Sequence, residues 1–308
     1  MSKFAIYNYN FLRIIEPNEE HLLEFPDWEN VNVKESFENR QQLLEELLLA
    51  DFEKPFPFEN ARKKPYWHIQ IVKPQDNVYV MRVANVTNVT ITDEHLLSQK
   101  YADYRNCLVI IDNRPGIQRI AIEQKTMAFS HTKTVANILE ASFCKLLKCK
   151  LLKVKLSAVY GTNVFWETLG KYPKGFSKVT FHFPHLNLDR LTKVMDKYLT
   201  TAREDWDSDL DFTFGANEGG AVKIDRNNQR QTALIAGASG AGAWIKMLPK
   251  GEKGKAILCG KDQYVVRELD SEVFNDLAIG AQPLPGMGQS AMDKVKVFMK
   301  DMPDVFTH

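Results

Sequence analysis

Asp112 stands eleven residues ahead of Glu123-Gln-Lys125. That order matches the Asp…Glu-x-Lys pattern of metal-dependent nucleases, in which two carboxylates hold Mg²⁺ and the lysine steadies the attacking water. Asn113-Arg-Pro-Gly116 reads as the turn of a hairpin, which sets Asp112 near Ile117. Glu123 then lies roughly 20 Å further along at about 3.3 Å per residue, too far to share an ion. The same register places Asp103 near Thr126 and Lys125, so Asp103 is the better partner in a nuclease reading.

Other constellations fall short of a defined chemistry. His182-Phe-Pro-His185 is a close histidine pair without a third ligand nearby, and reads as structural. Asp205, Asp207, Asp209 and Asp211 alternate like a calcium loop, but Leu210 and Ala216 stand where such a loop needs Gly and Glu. Gly237-Ala-Ser-Gly240-Ala-Gly242 fits neither phosphate-loop pattern and reads as a closely packed helix. No GxSxG is present, and no Ser, Cys or Thr can be tied to a His and a carboxylate. Cys107, Cys144, Cys149 and Cys259 make no CxxC pair and are expected to be reduced core thiols. The sequence therefore nominates no catalytic residue, metal ligand or cofactor. It leans away from an enzyme.

Charge gives a stronger signal. The whole chain has a formal charge of +1, yet residues 1–60 carry 13 acids and 5 bases, and residues 114–178 carry 12 bases and 3 acids. Lys145, Lys148, Lys150, Lys153 and Lys155 fall within eleven residues. Lys171 and Lys174 follow, and Arg114 and Arg119 precede them on the hairpin. A continuous patch of this kind binds phosphates and releases counterions. Lysine-rich patches position without reading bases, so weak sequence preference is expected. The competing reading is an amphipathic Leu/Lys pattern with its charged face in water, or internal attraction to the acidic lobe 16–59. That lobe is also a candidate dock for a basic protein, which makes a protein-interaction module the third reading.

The elements that must hold these residues follow from periodicity. Strands are expected at Lys3–Ile15, Tyr66–Val72, Val78–Val86, Cys107–Asp112, Ile117–Gln124, Leu151–Val159, Lys178–His182 and Leu210–Phe214. Helices are expected at Glu35–Asp51 with Asn32 or Ser36 as cap, and from Ser130 to about residue 149. More follow at Asn163–Leu169, Leu188–Thr201, Thr232–Trp244 and Gln289–Met299. Gly254–Cys259 and Gln263–Leu269 read as a hairpin. The order predicts an α+β protein of two lobes, residues 1–128 and 129–308, joined by a long helix at 131–149.

Length and an apolar share of 44% suit a globular chain with a sizeable core. No apolar run approaches the roughly 20 residues that span a bilayer. The opening residues lack a signal-peptide pattern, so a cytoplasmic location without membrane contact is expected.

The layout from Cys107 to Pro184 resembles the phage-exclusion Rex A family and related phage-defence proteins. The stretches that carry it are CLVIIDNRPGIQRIAIEQ and, after the long helix, VKLSAVYGTNVFWETLGKYPKGFSKVTFHFPH. The resemblance lies in order and texture over about half the chain, and no motif maps individual functional residues. It implies duplex DNA binding without catalysis, by a homo-oligomer, in abortive defence against phage.

Overall fold

The computed structural model describes residues 1–14, 30–50, 57–59, 65–71, 74–92, 94–115, 117–183, 210–240, 244–251, 256–259, 264–270, 273 and 287–300. The Leu188–Thr201 helix, His185, Asp205, Asp207, Asp209, Gly242 and much of the acidic segment 16–59 lie outside the described residues.

In chain order the elements are β1 (Ser2–Arg13), α1 (Val33–Glu38), α2 (Arg40–Ala50), β2 (Pro57–Glu59), β3 (Pro65–Gln70) and β4 (Val78–Thr92). Then come β5 (Ser98–Asp112), β6 (Arg119–Glu123), α3 (Thr132–Leu147), β7 (Leu152–Ala158), α4 (Thr162–Gly170) and β8 (Phe176–Phe183). The last are β9 (Leu210–Gly215), α5 (Gln229–Gly240), β10 (Trp244–Pro249), β11 (Ile257–Cys259), β12 (Val266–Leu269) and α6 (Met287–Lys300). The protein is α+β, with one sheet in order β12-β1-β6-β5-β4-β3-β2, β7 also pairing β1, and a second in order β11-β10-β8-β9. No helix among the described residues is long and apolar enough to cross a membrane.

Contacts divide the chain into a first unit, Met1–Leu156 with Val266–Lys300, and a second, Ser157–Val265. The expected division near residue 128 therefore falls inside the first unit. Helix α3 is no connector, because its apolar stripe is buried in that unit. Successive strand residues face opposite sides, and β1 shows both sides covered. Tyr7 Oη meets Thr132 Oγ1 of α3 at 2.9 Å, while the Phe4 ring meets Phe298 of α6 edge-on at 5.6 Å. Every residue from Phe4 to Phe11 is consequently buried. A double-sided burial of this kind explains why β1 reads as a weakly alternating run.

Helix α6 is held at its C-terminal end by three arginines. Arg114 Nη2 donates to Lys296 O at 3.3 Å, Arg267 Nη1 to Phe298 O at 2.7 Å and Arg119 Nη1 to Met299 O at 3.5 Å. The last carbonyls of a helix lack intrahelical partners and sit at its negative end, so guanidinium groups suit them.

Several local expectations shift. The helix expected over 35–51 breaks at Asn39, whose N–H ends α1 on Glu35 O while its own carbonyl starts α2. Asn32 is the cap, its Oδ1 accepting from Glu35 N at 3.1 Å. Ser130 caps nothing; His131 occupies the N-cap of α3 without a side-chain bond. Helix α5 ends at Gly240, and Trp244 begins β10 instead. The expected hairpin near 254–269 does not form, since β11 pairs β10 and β12 pairs β1 in the other sheet.

The second unit packs α4 and α5 around Phe165, Phe176, Phe181, Phe183, Ile235 and Ile245. Buried Ala236, Ala238 and Ser239 show that the small residues of α5 serve close packing.

Candidate nucleic-acid interface

The lysine cluster is built by a helix and a strand locked side by side. Val135, Ile138, Leu139, Phe143 and Leu147 bury one stripe of α3, which leaves Lys145 exposed in its last turn. A 3₁₀ turn, Lys148–Lys150, ends the helix, and Leu151 takes a left-handed conformation (φ 54°) that reverses the chain. Strand β7 then buries Leu152, Val154 and Leu156 and turns Lys153 and Lys155 to water.

Two α3 side chains, one turn apart, fasten the helix to β7. Cys144 Sγ accepts from Val154 N at 3.3 Å and donates to Val154 O at 3.2 Å. Glu140 Oε2 accepts from Leu156 N at 2.8 Å, and its Oε1 accepts from Lys155 Nζ at 2.8 Å. These side chains satisfy backbone groups of β7 in the manner of a neighbouring strand. Burial pushes the Cys144 thiol up, the Val154 N–H and the Lys153 and Lys155 charges offsetting only part. The lock holds the end of α3 beside β7, and Glu140 pairs with Lys155. Glu140 and Cys144 were not singled out by sequence reasoning. Their i, i+4 spacing beside the Leu/Lys strand was the available signal.

The remaining expected contacts go elsewhere. Arg114 forms a bidentate pair with Asp112, Nη2 to Oδ2 at 2.6 Å and Nε to Oδ1 at 2.9 Å, and the Asp112 carboxylate is fully buried. That carboxylate is the main reason the guanidinium is held above its ordinary range. Arg119 is half-buried beneath α6. Both arginines thus hold contacts within the fold and are partly buried. Lys171 and Lys174 are exposed beyond α4, in the second unit.

The nuclease carboxylates do not converge. Asp112 pairs opposite Arg119, not Ile117, because the turn is longer and Gln118 takes a positive φ of 42°. Glu123 is thus four residues beyond the position opposite Asp112, about 13 Å along the strand. It is engaged, accepting from Ser2 Oγ at 2.8 Å and Leu108 N at 2.9 Å. Asp103 Oδ2 accepts from Arg105 Nε at 2.7 Å. Among the described residues no group of three or more His, Cys, Asp and Glu side chains is placed to hold a metal.

No family model, curated protein or solved structure matches the chain.

His182 Nδ1 lies 2.6 Å from Asp211 Oδ1, and its ring stacks on Trp244 at 4.5 Å. Of the four thiols Cys107 and Cys259 are buried, Cys144 is half-buried and Cys149 is exposed, so the expectation of core thiols fails for Cys149.

Proposed function

We propose that this protein binds nucleic acid, duplex DNA above all, through the phosphate backbone, with Lys145, Lys148, Lys150, Lys153 and Lys155 as the contacts. The observation that carries this reading is the α3–β7 lock, which holds side by side the helix end and the strand that carry these lysines. Five ammonium groups without an arginine fork among them supply charge rather than base readout, so sequence preference is weak. The resemblance of residues 107–184 to the Rex A family supports the same class of ligand. Action in anti-phage defence, as a homo-oligomer, belongs to this proposal on that ground alone.

The test is fluorescence anisotropy with labelled duplex DNA, single-stranded DNA and duplex RNA. Each phosphate contact adds about −0.9 to the salt slope, so affinity for the duplex falls steeply between about 50 and 200 mM salt. Reversing Lys150 and Lys153 to Glu lowers affinity with the fold intact. Absence of binding to all three, or tight binding indifferent to salt, overturns the reading.

A further inference from the structure

Helix α4 divides its faces between two tasks. Val164 and Phe165 are buried in the core of the second unit. Asn163, Trp166, Glu167 and Gly170 fall at i, i+3, i+4 and i+7 and so share another stripe of the helix. That stripe lines a surface hollow of about 470 Å³, which Leu169, Ile224 and Arg226 complete. The hollow lies within the second unit, and its size is that of a small-molecule site.

The polar groups of the hollow are held in place. The Arg226 guanidinium lies over the Trp166 ring, 5.1 Å from its centroid. Trp166 is itself braced edge-on by the fully buried Phe165 ring at 5.2 Å. The turn that carries Arg226 is tied to α5. Thr232 Oγ1 donates to Arg226 O at 3.1 Å, and Gln231 Oε1 accepts from Asp225 N at 2.7 Å. No carboxylate among the described residues pairs with Arg226, so its N–H fork is open to an anion. Glu167 is oriented by another neighbour, its Oε1 accepting from Asn163 Nδ2 at 3.2 Å. Leu169 and Ile224 pack against the core and supply apolar surface.

We propose that this hollow binds a guanine nucleotide, with Arg226 on the phosphate, Glu167 on the base edge and Trp166, Leu169 and Ile224 against the ring. An arginine fork preorganised on an aromatic face matches a phosphate through paired hydrogen bonds. A carboxylate only accepts, so it selects a base edge that carries adjacent donors. Guanine presents N1–H and N2–H side by side. Adenine sets an acceptor, its N1, beside its amino group, and that acceptor faces the carboxylate unfavourably. A flat ring suits a lining of indole, Leu and Ile with a few placed polar groups. The same chemistry is offered by a free mononucleotide and by an unpaired guanine of a strand. The inference stands on the second unit alone and is independent of the lysine cluster.

Isothermal titration of the full chain with guanosine monophosphate, adenosine monophosphate, guanosine and inorganic phosphate, each to about 5 mM, detects binding down to the millimolar range. Guanosine monophosphate binds about ten-fold tighter than the adenine nucleotide or guanosine, and phosphate alone gives no saturable heat. Arg226→Met lowers the nucleotide to the level of guanosine, and Glu167→Gln lowers it to the level of the adenine nucleotide. Gly170→Leu abolishes binding with unchanged circular dichroism, because a Cβ there meets nothing within 4 Å and the side chain fills the hollow. Arg226→Met, a change at an exposed residue, keeps the site testable if the leucine variant misfolds. Competition with a thymine oligonucleotide carrying one guanine separates the sources. Displacement at lower concentration than the free nucleotide assigns the strand, and weaker displacement assigns the mononucleotide. Absence of guanine nucleotide binding, equal affinity for the adenine nucleotide, saturable binding of phosphate alone at the same affinity, or a folded Arg226→Met protein that binds like wild type overturns the proposal.

Discussion

Cys144 and Val154 bond each other twice, the strand's N–H donating to sulfur at 3.3 Å and the thiol donating back to the carbonyl at 3.2 Å. One side chain on α3 thereby replaces a neighbouring strand at that point of β7. Cys144→Ala leaves the Val154 N–H and C=O without partners, which costs about 1–3 kcal/mol. Urea denaturation reads this as a lower midpoint with an unchanged slope. Cys144→Ser retains most of the stability, because a hydroxyl offers the same donor and acceptor.

Thiol reactivity separates the cysteines. Burial pushes Cys107 up to about 12 and Cys259 up to about 11, and raises Cys144 as well. At pH 8 the thiolate fraction of Cys107 is on the order of 10⁻⁴ and that of Cys259 on the order of 10⁻³. A disulfide reagent added to the native protein titrates one fast thiol, the exposed Cys149. The other three react only on unfolding. Four equal rates in the native state contradict the packing.

Glu140 weakens the cationic cluster while it strengthens the fold. Glu140→Gln keeps an oxygen for the Leu156 N–H and frees Lys155 from its carboxylate. Duplex affinity rises several-fold at 50 mM salt, and the salt slope steepens by about 0.9, one additional phosphate contact. An unchanged slope shows that Lys155 does not touch the backbone.

Arg114 has an internal task. Arg114→Met strands the fully buried Asp112 carboxylate and destabilises the protein by about 3–5 kcal/mol. Asp112→Asn combined with Arg114→Met recovers most of the loss. The salt slope for DNA is the same in the double variant as in wild type. A shallower slope returns Arg114 to the interface.

Acid acts on the tie between Asp76 and Lys296. The ammonium of Lys296, first through its hydrogen bond, holds the Asp76 carboxyl below its ordinary value. A group depressed in the folded state adds stability above its unfolded value, and that stability is lost as pH falls through the folded value. The contribution is therefore present above about pH 4 and disappears below it. Thermal unfolding of wild type between pH 5 and 2 falls more steeply than that of Lys296→Met. Parallel curves would remove Asp76 from the account.

The elements around the lysine cluster were legible because their signals are local. Apolar residues at helical spacing define α3, and the Leu/Lys alternation from Leu152 defines β7 and the outward side of Lys153 and Lys155. An α+β class follows from such patterns, since each records which side of one element meets water. Tertiary structure alone decided where strands pair. Gly254–Leu269 carries a hairpin's turn residues, yet β11 and β12 join different sheets, because β12 finds its partner in β1, at the other end of the chain, while β11 pairs the nearby β10. It also decided which cations are internal. An arginine beside a turn has the same letter whether it faces phosphate or a buried carboxylate, and only the tertiary structure ties Arg114 to the buried Asp112 and Arg119 to the end of α6.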